Sequence, residues 1–337
     1  MRAAVVGHLP TQPPVTVTEV PTPEPPAGWV RVRLHAAALN RLDAMMLAAR
    51  EDEAPGAIFG SDGAGVVDAV GTGVARGVSV GDEVVVSPSL FWGEDDRYPS
   101  ADYEILGSPT HGTHAEHVVV PAENVVAKPE HLTFTEAAAL PMAGITAWRA
   151  LVTRGGLRDG ETVVVAAASS GVGSTAVRIA ASLGARVVAV TSSSDKEKEA
   201  LALGAAAAVD RTSGRFADDL REAVGGGADL ALDPTGALWQ PLVDALRPAG
   251  RLVVVGKAAS PTGSLRVQSV YWKQVDILGS SMGSPRDLAD LLDHVKAHGW
   301  VPVVDSVFPL GDIAAAYERL DAPDRVGKVV LDLGAVR

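Results

Sequence analysis

Ala168-Ser169-Ser170-Gly171-Val172-Gly173 follows an apolar run and opens an amphipathic stretch, the context a phosphate-cradling turn requires. It is a relaxed G-x-G-x-x-G in which the first two glycines have become Ala168 and Ser170, both small. Backbone N–H groups of Ser170, Gly171, Val172 and Gly173 at a helix start, aided by the helix dipole, would hold a pyrophosphate. After the next strand, an NAD-binding chain usually places Asp or Glu for the ribose 2′-OH. Here stand Thr191, Ser192, Ser193 and Ser194, with Lys196 just beyond. A carboxylate repels a 2′-phosphate, whereas hydroxyls and a cation attract it. The residues therefore point to NADPH over NADH. The plainer alternative is that Ser194 or Asp195 caps a helix and Lys196 is a solvated first-turn residue.

A strand, a helix and a second strand must position these groups. Residues 161–166 read as a buried parallel strand, 174–183 as an amphipathic helix stopped by Gly184, and 185–190 as the next strand. Further strands at 205–210, 228–233, 251–256 and 275–279, with helices between, complete a doubly wound six-stranded sheet over residues 131–281. The first part, residues 1–130, is β-rich. Strands are expected at 2–7, 15–20 and 29–36 around a Pro-rich turn at 21–26, then at 60–67, 80–86 and 114–120. Residues 87–109 read as irregular. From 282 to 337 a helix at 286–298, a strand at 303–308, another helix and a strand at 327–333 fold back onto the first domain. The fold class is α/β.

Composition narrows the chemistry. The 337 residues carry a net charge of −12, with no basic footprint for nucleic acid. No apolar run is long enough to cross a bilayer, and the start of the chain lacks a signal-peptide pattern, so a cytoplasmic protein is expected. There is no cysteine, which excludes disulfides, thiolate metal ligands and cysteine nucleophiles.

Several short motifs recur in one order along the chain: Asn40-Arg-Leu-Asp43, Phe59-Gly-Ser-Asp-Gly-Ala-Gly-Val-Val67, Val80-Gly-Asp-Glu-Val84, Gly112-Thr-His-Ala-Glu116, Leu140-Pro-Met-Ala-Gly-Ile-Thr-Ala-Trp148 and Gly327-Lys-Val-Val-Leu331. With the 166–173 turn, they make the chain resemble a medium-chain dehydrogenase/reductase of the zinc-free quinone oxidoreductase or enone reductase branch. The resemblance runs essentially end to end. It implies a GroES-like β-rich catalytic domain, a Rossmann cofactor domain, an active cleft between them and commonly a homodimer joined through the sheet edge near the sixth strand. The aromatic run at 270–278 suits such an interface. Alcohol-oxidising members hold a catalytic zinc with Cys and His. At the matching positions this chain has Asn40, Ser61 and Asp62. Amide and hydroxyl oxygens are poor zinc ligands, so no metal is expected.

Without a Lewis acid, reducing a quinone or the activated C=C bond of an α,β-unsaturated carbonyl is more accessible than oxidising a simple alcohol. The chain must then align a small-molecule acceptor, stabilise the developing oxyanion and permit protonation. Asn40 and Asp43 are the catalytic candidates from the first motif. Met45 and Met46 occupy the region where some relatives carry a tyrosine, so Tyr98, Tyr103 and His111 stand as substitute proton donors, with water as another route. On the cofactor side the resemblance places Thr146 near the nicotinamide carboxamide, Arg211 near the 2′-phosphate and Lys328 near the cofactor. Gly256, Lys257, Ser281 and Met282 lie at the ends of the fifth and sixth strands, on the ligand side of the sheet. Two alternatives remain: an enoyl-thioester reductase, and a non-catalytic NADPH-binding protein.

Overall fold

The computed structural model describes residues 1–7, 14–49, 56–74 and 77–334. The chain divides into two compact units, Met1–Met142 with Ser284–Arg337, and Ala143–Gly283. The first unit thus runs past residue 130. The backbone N–H of Met142 donates to the Asp62 carboxylate at 2.7 Å, which ties this stretch to the β-rich part.

The second unit is built on six parallel strands in the spatial order Ala207–Asp210, Arg186–Thr191, Thr162–Val165, Ala228–Asp233, Leu246–Val254 and Asp276–Gly279. Numbered along the chain this is 3-2-1-4-5-6. The winding reverses between the first and fourth strands, the position where doubly wound sheets bind ligands. Val163, Val164, Val165, Val187, Val188, Leu230, Ala231, Leu232, Leu252 and Val253 are fully buried. Cover on both faces explains why these strands read as unbroken apolar runs. The fifth strand begins at Leu246 rather than near 251, because Leu246 pairs with Ala228 ahead of a register shift.

The helix after the first strand spans Gly171–Ser182 and starts before Ser174, the residue expected from the sequence. Ser170 is its N-cap, and its side chain accepts from the Gly173 N–H at 3.0 Å. Gly173 permits the tight return: a Cβ there would lie 2.1 Å from the Ala167 carbonyl oxygen. Ala167 itself adopts φ +49°, a left-handed conformation that costs an L-residue roughly 1–2 kcal/mol.

The first unit centres on the strand Trp29–Ala38, whose side chains alternate in burial before a fully buried end. The sheet order is Val304–Pro309, Lys328–Asp332, Trp29–Ala38, Asp62–Val70, Glu83–Val86 and Val125–Ala127, with His117–Pro121 also paired to Trp29–Ala38. The two strands of the tail therefore complete this sheet. Ala38 is in register with both Asp62 and Val330, which gathers the ends of three strands and delivers Asn40, Asp62 and Lys328 to one place. Within 87–109 two short strands, Ser89–Leu90 and Glu104–Ile105, pair with each other. Two-residue strands are too short to show a period in the sequence.

Relieving the strain in the nucleotide turn is expected to stabilise the fold. Ala167→Gly should raise the unfolding free energy by about 0.5–1 kcal/mol. Gly173→Ala should lower it by about 1–3 kcal/mol through overpacking against backbone. Chemical denaturation of both variants measures the pair.

Candidate functional site

In the first unit a buried polar cluster forms where the three strand ends meet. The Lys328 ammonium donates to Asn40 Oδ1 at 2.5 Å and to Asp62 Oδ2 at 2.8 Å. Asn40 Nδ2 donates to the same Asp62 oxygen at 2.9 Å, while Asp62 Oδ1 accepts from Met142 N. Asp43, on the first turn of the helix Arg41–Ala49, accepts from Asn40 N at 2.7 Å through Oδ2. Ser61 Oγ lies 3.5 Å from its other oxygen. Asp43 and Asp62 are fully buried, and Lys328 is 4% exposed. A buried carboxylate with an ammonium and further donors at hydrogen-bond distance is a compensated charge.

Asp43 has no cation in direct contact. Burial raises its carboxyl to about 7, the Asn40 N–H opposes this, and the neighbouring Asp62 charge adds to the rise. His114 sits on the same cluster. Its burial, reinforced by the Lys328 charge, lowers its imidazole to about 3, so it is neutral at ordinary pH. Tyr317 faces His114 edge-on with ring centroids 6.0 Å apart, and burial raises its phenol well above the usual value, with a further push from Asp43. Among the described residues, His114 Nε2, Thr113 Oγ1 and Tyr317 OH are buried without a hydrogen-bond partner. Of these three residues, Thr113 and His114 fall inside the Gly112–Glu116 motif. Nothing in the spacing around Tyr317, on the helix Ile313–Asp321, singles it out.

The donor set at Asn40 does not suit a zinc ion. Asn40 Oδ1 and Asp62 Oδ2 are engaged by an ammonium, Ser61 offers a hydroxyl, and a divalent cation here would lie against the Lys328 charge. Among the described residues, no group of three or more His, Asp or Glu is arranged to hold a metal ion.

The substitute proton donors have other described contacts. Tyr98 is 58% exposed beside Arg97. Tyr103 packs edge-on against Trp92 at 5.3 Å, and burial raises its phenol to about 12. His111 is exposed, and its Nδ1 accepts from Ile58 N at 3.3 Å. None of the three has a hydrogen bond to Asn40 or Asp43. The sequence suggested them by residue type. The Lys328 ammonium is bonded to Asn40 and Asp62.

In the second unit the nucleotide turn and the end of the second strand lie side by side, because Ala168 N bonds to Val190 O. Ser193, rather than Ser194 or Asp195, caps the helix Ser194–Ala202. Ser192 Oγ accepts from the Lys196 ammonium at 3.2 Å, so this lysine folds back over the strand end. Thr191 is buried, with an unpartnered Oγ1 among the described residues. Arg211 is exposed at the end of the third strand, and its N–H bonds to Thr191 O. Thr146, on the helix Pro141–Trp148, places Oγ1 4.0 Å from Met282 Sδ. Gly256, Lys257 and Ser281 are exposed at the ends of the last two strands. Gly173 with its close backbone approach, the capped helix start and the hydroxyl-lined strand end fit a dinucleotide.

Two measurements follow from the cluster. Lys328→Met should destabilise the chain by about 3–5 kcal/mol by leaving Asp62 buried and uncompensated, and adding Asp62→Asn should recover part of the loss. Asp43 has its folded value raised to about 7 against an ordinary value of 3.8, so the folded state binds the proton more tightly. Its contribution to stability is full below about 4 and is lost as pH rises toward 7. Asp43→Asn should therefore flatten the stability profile across that window, measured by denaturation at several pH values.

Residues 26–130 match the family described as Alcohol dehydrogenase GroES-like domain, and residues 171–297 match the one described as Zinc-binding dehydrogenase. The chain is 30% identical to the Zinc-type alcohol dehydrogenase-like protein YogA of Leptosphaeria maculans, over 94% of this chain and 92% of that protein. It is 32% identical to an Alcohol dehydrogenase of Geobacillus stearothermophilus, over 98% and 99%. The crystal structure of an NAD-dependent alcohol dehydrogenase superposes with a TM-score of 0.92 at 40% identity, covering 99% of this chain and 100% of that one. With the GroES-like unit, the 3-2-1-4-5-6 sheet and these relatives, the chain belongs to the medium-chain dehydrogenase/reductase superfamily of oxidoreductases.

Proposed function

We propose that the chain is an NADPH-dependent, zinc-independent reductase of quinones or of the activated C=C bond of α,β-unsaturated carbonyls. The observation that carries this reading is the Lys328 ammonium held between Asn40 Oδ1 and Asp62 Oδ2, at the positions where the zinc-dependent pattern calls for metal ligands. A fixed monovalent charge, already neutralised by Asp62, is a weak Lewis acid substitute. Alcohol oxidation would lack its activator, while an acceptor that already carries a conjugated carbonyl needs less help.

When bound, the nicotinamide supplies hydride. The chain's own part begins at the Ser170-capped helix start, where Gly171 and Val172 offer N–H groups to the pyrophosphate and Gly173 lets the backbone close. Thr191, Ser192, Ser193 and Lys196 take the 2′-phosphate, with Arg211 at the adjoining strand end. Thr146 and Met282 orient the nicotinamide end, and Gly256, Lys257 and Ser281 border it. Asn40 and Asp43 belong to the substrate side. Asp43, raised to about 7 by burial, exchanges a proton near neutral pH, and one of its carboxyl oxygens faces Ser61 Oγ.

We further propose a homodimer through the edge of the second unit's sheet. The helix Val267–Lys273 buries none of its residues, and Val267, Tyr271 and Trp272 are 75%, 59% and 76% exposed beside the edge strand Asp276–Gly279. Apolar aromatic surface next to unpaired strand edge is a site for self-association.

The deciding assay is consumption of NADPH, with NADH in parallel, against quinones, enones and simple ketones after treatment with a strong chelator. Turnover of quinones or enones that survives the chelator is the expected result, and turnover that needs added zinc would overturn the reading. Lys196→Ala should raise the Kd for NADPH by about 10–100-fold through loss of a charged contact worth about 1.5–3 kcal/mol, while leaving the Kd for NADH nearly unchanged. Trp272→Glu should convert the chain to a monomer in size-exclusion chromatography with light scattering.

A further inference from the structure

We propose that Lys328 and Asp62 are positioning residues that lock the Asn40 carboxamide in one orientation, so that Asn40 presents a free Nδ2–H, and no acceptor, to the carbonyl oxygen of the substrate. A carboxamide has two opposite ends, an oxygen that accepts and a nitrogen that donates twice. Its orientation is therefore set by what stands on either side. Asn40 Oδ1 accepts from the Lys328 ammonium at 2.5 Å, and Nδ2 donates to Asp62 Oδ2 at 2.9 Å. Turned over, the amide would set its NH2 against an ammonium that can only donate and its oxygen against a carboxylate that can only accept. Both charge-assisted bonds would be lost at once.

Further bonds hold the partners themselves. Lys328 Nζ reaches the same Asp62 oxygen at 2.8 Å, so ammonium, carboxylate and amide form a triangle of bonds. The other Asp62 oxygen accepts from Met142 N at 2.7 Å. Asn40 N donates to Asp43 Oδ2 at 2.7 Å, which fixes the backbone that carries the amide. Asn40 is 8% exposed and Lys328 4%, so water offers little replacement for any of these bonds.

Asp62 takes one of the two Nδ2 hydrogens. Among the described residues no acceptor takes the other. An amide whose oxygen is bonded to a cation is polarised, and its remaining N–H is a stronger donor for it. Such a donor favours the negative charge that develops on a carbonyl or quinone oxygen as hydride arrives. The carbonyl acceptor comes from the reductase reading, on which this step rests, whereas the locked amide stands on the bonds alone. Lys328 acts through Asn40 rather than on the substrate.

The test gives the full-length chain two independent readouts. In the first, NMR of isotope-labelled protein follows the Asn40 side-chain amide, identified by its loss in Asn40→Ala. The wild type should show two separate Nδ2 hydrogen signals, one of them protected from exchange with water. The neutral pair Lys328→Met with Asp62→Asn leaves no single charge buried, and it should lose that protection. In the second, NADPH-dependent reduction of an enone or quinone is measured at steady state. Asn40→Ala should lower kcat by about 100-fold, and the neutral pair by roughly tenfold, with KM little changed in both. The triple variant should be no slower than Asn40→Ala, because positioning has no effect once the amide is gone. Circular dichroism checks the folding of each variant. Losses that multiply in the triple variant, an unchanged kcat in the folded neutral pair, or a freely exchanging amide in the wild type would each overturn the proposal. A wild type that reduces no acceptor overturns the reductase reading instead, and the amide signals still decide the lock.

Discussion

The contact between the Lys328 ammonium and the Asp62 carboxylate is the constraint on which the first unit depends. Both groups are almost completely removed from water, and each ion alone would cost several kcal/mol to bury. They are tolerable only together and only with further bonds, which Asn40 and Met142 supply. The cluster joins residues far apart in sequence. It needs the tail strand beside Trp29–Ala38, the register that sets Ala38 against Asp62, and the chain at Met142 closing over the carboxylate. A cysteine-free chain has no disulfide to tie its tail to its first strands. Strand pairing and this buried ion pair do so instead.

Around that pair the polar groups differ in how they are balanced. Asp62 has a cation and two further donors, whereas Asp43 has no cation in contact and burial raises its carboxyl to about 7. Two carboxylates so close are separated in behaviour by environment, a pattern that acid–base sites use. His114 and Tyr317 stay neutral beside them because burial disfavours both charged forms. The cluster thus joins an ammonium–carboxylate pair, Lys328 with Asp62, to a carboxyl that burial raises to about 7.

The second unit works by backbone shape. Its strands need only apolar side chains on both faces, but its nucleotide turn needs Gly173 close to the Ala167 carbonyl and a cap at Ser170. Hence the relaxed motif still forms the turn. The first glycine positions tolerate small side chains, with local strain taken by Ala167, whereas the last glycine faces backbone and cannot be enlarged.

The order and type of the elements were legible in the sequence because period and turn chemistry are local. Continuous Val and Ala runs marked the parallel strands, and the Gly-rich turn with the hydroxyl-lined strand end marked the nucleotide side. Helix starts were misjudged by a few residues where Ser170 and Ser193 act as caps, since a cap is defined by a bond and not by composition. The pairing of Asn40 with Asp62 and Lys328 was not legible, because register across three strands joins positions with no sequence relation. Nor were the contacts of Tyr98, Tyr103 and His111, with Arg97, Trp92 and Ile58. Residue type alone made them candidate donors. The sequence by itself determined the αβ alternation, the absence of thiolate ligands and the placing of hydroxyls and a lysine, rather than an acid, after the second strand of the sheet. Only the tertiary structure decided which buried charges meet, because compensation of a buried charge depends on distance through space.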